Sequence, residues 1–219
     1  VAATSLSDAL GSNAVAIETD VRDEGALASC ISQTVDRFGV LDIMVNNAGY
    51  IMFSPIVETD ADDWRRMMDV NINGIFLGIK AGAHQMIVQG KGGVIINASS
   101  GGGRKGVPNF AHYCATKAAI IMMSQAAAGE MAPHRIRVNC YTPGHVETPM
   151  MSGLLDKIAS AQGTTRDEAY QALEDEADAR LKRNFRIVLC LNSTRPRLGP
   201  QSGCWKIGFQ HMSSNIYIL

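Results

Sequence analysis

The chain has 219 residues and 46% hydrophobic content, enough for a packed core in one large domain or two small ones. Its formal net charge of −1 comes from evenly mixed signs, which argues against a nucleic-acid surface or a patch for anionic membranes. No stretch approaches the roughly 20 apolar residues of a spanning helix, and VAATSLSDAL at the start carries neither a basic nor an apolar leader region. A cytoplasmic protein acting on a small molecule is expected, with no nucleic-acid or membrane partner. Cys30, Cys114, Cys140, Cys190 and Cys204 are odd in number and scattered, without the spacing of a zinc site, so free thiols and no metal are expected. Val1 stands where a start would have Met, so the natural start is expected upstream.

Residues 1–13 read as the end of a helix closed by Gly11, and AVAIETD at 14–20 as a short buried strand. From Glu24 to Phe38 the apolar residues Leu27, Ile31, Val35 and Phe38 recur at helical spacing, and Gly39 ends the run. LDIMVNNAG at 41–49 is a second strand. A long helical pattern follows from Asp62 to Gln89, closed by Gly90. GGVIINASS at 92–100 is a third strand, GGGRKGVP a glycine-rich loop, 111–131 a helix, and IRVNCYTPG at 136–144 a fourth strand.

Strands that are continuous apolar runs and alternate with helices define an α/β fold with a parallel sheet buried on both faces. Ligands of such doubly wound sheets bind at the carboxyl ends of the strands. Those ends carry Asp20 and Val21, Asn46 to Gly49, Ser99 and Ser100, and Pro143 and Gly144. Each is ordinary turn chemistry taken singly; four in succession along one edge point to a site. In HYCATK, Tyr113 and Lys117 stand four apart on one helical face. An ammonium held beside a phenol favours the phenolate and lowers its pKa, which suits the pair to general acid/base work.

With DV at 20–21, NNAG at 46–49, Asn71 in VNINGIF, Ser100 thirteen residues before Tyr113, YCATK, and RVNCYTPGHVETPM at 137–150, the chain resembles the short-chain dehydrogenase/reductase family over roughly residues 1 to 185. The resemblance implies a Rossmann-like fold and NAD- or NADP-dependent interconversion of a secondary alcohol and a ketone. It implies Tyr113 as acid/base, Lys117 as the group that lowers its pKa and holds the nicotinamide ribose, Ser100 on the substrate oxygen, and Asn71 positioning a water in a proton relay. Asp20 and Val21 would touch the adenine, and Asn47, Ala48 and Gly49 the adenosine ribose side. Pro143, Gly144, Val146 and Thr148 would border the nicotinamide. FLGIKAGAHQMIVQGKGGVIINASS and LLDKIASAQGTTRDEAYQAL look most similar to the branch acting on acetoin, diacetyl, butanediols and polyols. Residues after Met150 would then form a mostly helical substrate flap with Leu154, Leu155, Ile158, Ala169 and Leu173 on its apolar faces.

The family pattern opens on a glycine-rich TGxxxGxG turn, which is not found in these residues, so the sequence does not separate NAD from NADP. The domain reading is therefore 1–185 as one Rossmann-like unit lacking its first βαβ, and 186–219 as an atypical tail, read as a frameshifted or alternatively spliced ending. Two alternatives stand beside the small-alcohol reading: a 3-oxoacyl thioester reductase with the same catalytic set, and a catalytically dead variant acting only through subunit association. Family members associate by pairing helices that correspond to 62–90 and 111–131, so a homo-oligomer is expected of the complete form.

Overall fold

The computed structural model describes residues 14–146, 148–176, 186–188 and 216–218. The helix expected over 1–13 lies outside them. Helix α1 (Glu24–Phe38) starts where the Asp23 carboxylate accepts the Ala26 N–H at 3.0 Å. It ends at Gly39, whose φ of 84° is the left-handed conformation that glycine adopts without strain. Its inward face is Leu27, Cys30 and Ile31, at the spacing that marks it in the sequence.

Strand β1 (Ile43–Asn46) leads to α2 (Ala61–Met68), capped by Asp60, whose carboxylate accepts from the Asp62 and Asp63 amides. The single long helix expected over 62–89 is interrupted. A π turn at Asp69–Asn73 separates α2 from α3 (Gly74–Gln89), and the Gly74 amide reaches back five residues to the Asp69 carbonyl. Then come β2 (Gly93–Ala98), a 3₁₀ turn at Gly101–Gly103, α4 (Ala111–Met131), β3 (Ile136–Thr142), α5 (Pro149–Gln162) and α6 (Arg166–Glu176). Two short strands close the series, β4 (Arg186–Val188) and β5 (Ile216–Ile218).

The strands form one Rossmann-like sheet in the order β4-β3-β2-β1-β5, parallel except for the antiparallel β3–β4 pair. In register, Met44 of β1, Ile95 of β2 and Val138 of β3 line one face and are fully buried. Helices α3 and α4 cover that face through Ile79, Ala83, Met86, Ile120 and Ile121. Two residue pairs farther along the same register, and so on the same face, Asn46 and Asn97 put amides into this core. They are satisfied in series: Asn46 Nδ2 donates to Asn97 Oδ1 at 2.8 Å, Asn97 Nδ2 to Ser124 Oγ at 2.9 Å, and Ser124 Oγ to the Ile120 carbonyl at 2.7 Å. Helix α3 can lie over this chain because residue 78 is glycine. A Cβ there would sit 2.1 Å from Asn46 Oδ1.

The strand expected at 14–20 is not one. These residues pair with no described strand, and Val15 is 42% exposed. An apolar run becomes a strand only where an open edge takes up its N–H and C=O groups, and the outer edges of β1 and β3 carry β5 and β4.

Helices α5 and α6 pack on the start of α4 as a second core, in which Leu154, Leu155, Ile158 and Ala169 are buried with Phe110 and Cys114, and Leu173 packs against them. This is the apolar set expected of the flap. Thr148 caps α5, accepting the Met151 N–H at 3.2 Å, and Thr165 and Glu168 exchange reciprocal hydrogen bonds at the start of α6.

Candidate active site

Tyr113 lies in the first turn of α4 and Lys117 one turn later, with its Nζ 5.5 Å from the centre of the Tyr113 ring. Lys117 is 5% exposed and donates to the Ala98 carbonyl at the end of β2, at 2.9 Å. Burial brings its pKa down to about 8. The hydroxyl of Ser100, the residue that caps the 3₁₀ turn after β2, lies beside the Tyr113 phenol and draws its pKa down. Here the sequence expectation is corrected. Burial pushes the Tyr113 phenol above its ordinary value, the neighbouring Ser100 hydroxyl pulls only partly the other way, and the ammonium of Lys117 is turned to a carbonyl rather than to the phenol oxygen.

The two adjacent serines separate cleanly. Ser99 is buried and structural, its Oγ donating to the Lys117 carbonyl at 2.7 Å and its amide to the Tyr141 carbonyl at 2.9 Å. Ser100 is the one that meets Tyr113. The glycines that follow serve close approach, but toward α4: a Cβ on Gly103 would lie 2.6 Å from the Lys117 carbonyl carbon and oxygen, and one on Gly102 would lie 3.3 Å from Cys114 Sγ.

Asn71 sits in the π turn, fully buried. Its amide clamps the backbone of one residue in the loop after β1, accepting the Tyr50 N–H and donating to the Tyr50 carbonyl, both at 3.0 Å. The same Nδ2 reaches Thr116 Oγ1 at 3.2 Å, and Thr116 donates to the Tyr113 carbonyl at 2.8 Å. Asn71 and Lys117 also converge on Gly49, where a Cβ would be 3.0 Å from Asn71 Oδ1 and 3.5 Å from Lys117 Nζ. The extra residue of the π turn therefore aims Asn71 at the Tyr113 corner. Its flanking residues Asp69 and Asn73 face an open groove of about 390 Å³ lined also by Asp20, Arg22 and Asp23.

In that groove Asp20 is paired with Arg22 at 2.6 Å, and this hydrogen-bonded ion pair holds its pKa at about 2. Val21 packs on the start of α3, 2.8 Å from where a Gly74 Cβ would stand. Asn47 and Gly49 are exposed at the end of β1 with Ala48 half-buried between them. At the end of β3, the Pro143 carbonyl accepts the Gly101 N–H at 3.0 Å, Gly144 is exposed, Val146 is 48% exposed, and Thr148 is engaged as the α5 cap. Asn47 to Gly49, Ser100, Pro143, Gly144, Val146 and Thr148 follow strand ends, Asn71 lies in the π turn, Tyr113 and Lys117 in α4, and Asp20 and Val21 after a run that forms no strand. The residues that meet around Tyr113 are Ser100, Asn71, Gly49 and Lys117, while Asp20 lines the separate groove and Val21 packs on Gly74.

Several residues here carried too little signal to be found from sequence. Tyr141, an aromatic inside NCYTPG, crosses the strand ends and donates to Asn47 Oδ1 at 2.6 Å. Thr116 links Asn71 to Tyr113. His145 Nδ1 lies 2.6 Å from Glu174 Oε1, tying the loop after β3 to α6. Their common clue is a polar or aromatic residue inside an already recognised motif, with nothing in the chain to say what it would meet. Among the described residues, no cluster of His, Cys, Asp or Glu could hold a metal, and no helix is long and apolar enough to cross a membrane.

The fold is a Rossmann-like parallel sheet with a hydroxyl, a phenol and a buried lysine gathered where the end of β2 meets α4. The model of the short chain dehydrogenase family matches residues 1–159. The chain is 38% identical over 159 residues to sorbitol dehydrogenase of Cereibacter sphaeroides, covering 73% of this chain and 62% of that protein. It is 37% identical over 151 residues to the (S)-acetoin-forming diacetyl reductase of Staphylococcus aureus, covering 69% of this chain and 58% of that one. The solved structure of NAD⁺-bound xylitol dehydrogenase matches with a TM-score of 0.64 at 33% identity, over 71% of this chain and 62% of that one. The chain belongs to the short-chain dehydrogenase/reductase family. It spans less than two thirds of the length of the two curated relatives named here.

Proposed function

We propose that the protein is a nicotinamide-dependent oxidoreductase that interconverts a small secondary alcohol and its ketone, with an acetoin-, diol- or polyol-like substrate. The observation that carries this reading is the Ser100 hydroxyl beside the Tyr113 phenol, with the buried Lys117 one helical turn behind it. Two side-chain oxygens converge there where a substrate oxygen could join them. The sorbitol, diacetyl and xylitol enzymes named above support the substrate class.

The residues present suit the two ends of a nicotinamide dinucleotide, NAD or NADP. The Tyr113 corner with Pro143, Gly144, Val146 and Thr148 would face the nicotinamide, with Asn47, Ala48 and Gly49 toward the adenosine ribose. The groove at Asp20 and Val21 would face the adenine. When bound, the cofactor supplies the hydride chemistry. The chain's own task is the proton. Burial keeps Tyr113 protonated at neutral pH, so its ready state is that of a donor. As a carbonyl oxygen gains negative charge, Tyr113 Oη delivers a proton to it while Ser100 Oγ donates a hydrogen bond to the same atom. In the oxidative direction the alcohol proton passes to Tyr113 Oη as the phenol's own proton leaves toward solvent. Lys117 holds the ribose side, and Asn71, fixed to Tyr50 and Thr116, positions a water through which the proton passes to solvent.

Association of copies through the outer faces of α2, α3 and α4, where Phe76, Val88 and Met122 are exposed, completes the reading. Titration with NADH and NADPH, followed by turnover of acetoin or diacetyl, tests it. Binding of one nucleotide with reduction of the diketone is expected, and failure to bind either would sink the enzymatic reading for this chain.

A further inference from the structure

Tyr141 is the next-to-last residue of β3 and is paired across the ladder with Ala98 of β2. Its main chain stands beside the stretch that builds the catalytic corner. The Tyr141 carbonyl accepts the Ser99 N–H at 2.9 Å, and the Ala98 carbonyl takes the Lys117 ammonium at 2.9 Å. Its side chain reaches farther, to Asn47, the first residue after β1, where Tyr141 Oη donates to Asn47 Oδ1 at 2.6 Å. Strand β2 lies between the two strands so joined, so the bond spans two strand spacings, about 10 Å. Burial raises the Tyr141 pKa, which keeps the hydroxyl protonated and a donor at neutral pH.

This bond fixes which way the Asn47 amide faces. A phenol that donates needs an oxygen, so Oδ1 is held toward Tyr141 and Nδ2, the end with two donors, is turned away from it. Asn47 is exposed, and its Nδ2 has no partner among the described residues. A side chain ordered in advance does not lose rotamer freedom when a ligand arrives, a loss of about 0.5–1.5 kcal/mol for each side chain immobilised on binding. Two residues on from Asn47 stands Gly49, on which Asn71 and Lys117 converge. The donors of Asn47 therefore stand on the same edge of the sheet as the Tyr113 corner.

We propose that Tyr141 is a positioning residue for the nucleotide: its hydroxyl holds the Asn47 amide so that Nδ2 is presented as a hydrogen-bond donor to a ribose oxygen of the bound cofactor. The proposal rests on the nicotinamide-dependent reading above and gives Tyr141 no part in the proton transfer.

Fluorescence titration of the full chain with NADH and NADPH is the test, run with the tighter nucleotide on Tyr141→Phe, Asn47→Ala and the double variant. Tyr141→Phe keeps the ring and removes only the hydroxyl. Asn47→Ala should weaken binding roughly fivefold, the worth of one neutral hydrogen bond, and Tyr141→Phe roughly threefold, the worth of the lost ordering. The double variant should bind no more weakly than Asn47→Ala alone. A hydroxyl that only stabilised the fold would lower affinity by the same factor whether or not Asn47 is present. A Tyr141→Phe chain that binds like the parent, or a double variant weakened about fifteenfold, the product of the two single effects, would overturn the proposal and leave the cofactor reading standing. A parent chain that binds neither nucleotide would overturn both.

Discussion

Lys117 points its ammonium at the Ala98 carbonyl, 2.9 Å away, and not at the phenol oxygen of Tyr113, whose ring centre lies 5.5 Å from Nζ. In this structure the lysine is a buried cation anchored to the sheet, one turn behind the phenol. The stability of the fold carries the mark of that burial. The Lys117 pKa is lowered from 10.5 to about 8, so between these values the unfolded chain binds more protons than the folded one, and stability rises as pH rises. Between pH 8 and 10 the gain is about 2 kcal/mol. Above pH 10 it is opposed by Tyr50, Tyr113 and Tyr141, whose pKa values are all raised by burial and which resist ionisation only in the folded state. Denaturant unfolding at a series of pH values should show the rise in the native chain and its loss in Lys117→Met. A flat native profile from pH 8 to 10 would refute the buried charge.

Asn71→Ala removes both bonds to the Tyr50 backbone and the bond to Thr116 at once. Buried peptide groups left without partners cost roughly 1–3 kcal/mol each, so a loss of about 2–4 kcal/mol is expected by chemical denaturation. Asn71→Asp keeps the acceptor for the Tyr50 N–H but not the donor, and should fall between the two. An Asn71→Ala protein as stable as the parent would mean that the clamp is not formed.

Two glycine substitutions should have opposite signs. Gly78→Ala places a methyl 2.1 Å from Asn46 Oδ1 and must break the Asn46–Asn97–Ser124 chain or lift α3. Gly129→Ala, on the exposed end of α4, meets nothing within 4 Å and should stabilise by roughly 0.5–1 kcal/mol through helix propensity. Thermal melts of the two variants check this directly, and a Gly78→Ala protein that melts with the parent would contradict the packing described.

The neighbouring serines also divide. Ser99→Ala should lower stability by about 1 kcal/mol, because Ser99 Oγ holds the Lys117 carbonyl inside the fold. Ser100→Ala, which gives up only the long cap bond to the Gly102 N–H, should cost about 0.5 kcal/mol of stability and lower turnover roughly 10²-fold, the scale of one donor lost from a developing oxyanion. A reversed pattern would exchange their roles.

The periodic elements were legible because their burial is local and repetitive. Leu27 and Ile31 mark α1, and IMVN, VIIN and VNC mark central strands buried by their neighbours. Helical spacing paired Tyr113 with Lys117, and the family resemblance added Ser100 to them. What failed was whatever depends on a partner elsewhere in the chain. AVAIETD has a strand's composition but no edge to join, whereas the short strands Arg186–Val188 and Ile216–Ile218, in a segment read only as an atypical tail, found the edges of β3 and β1. The π turn was invisible because one extra residue leaves the apolar pattern of 62–89 intact, and it is this residue that turns Asn71 inward. The lowered phenol pKa inferred from the spacing of Tyr113 and Lys117 was reversed by burial, a quantity the spacing does not contain.

The account rests on Tyr113 as the proton donor to the substrate oxygen, and Tyr113→Phe tests it most directly. The ring still fills its place against Phe110, Leu154 and Leu155, so the fold and the NADH affinity should stay within about twofold of the parent. Diacetyl reduction should fall at least ~10²-fold, the contribution of a positioned general acid. A Tyr113→Phe protein that binds NADH and still reduces diacetyl at near the parent rate would contradict it.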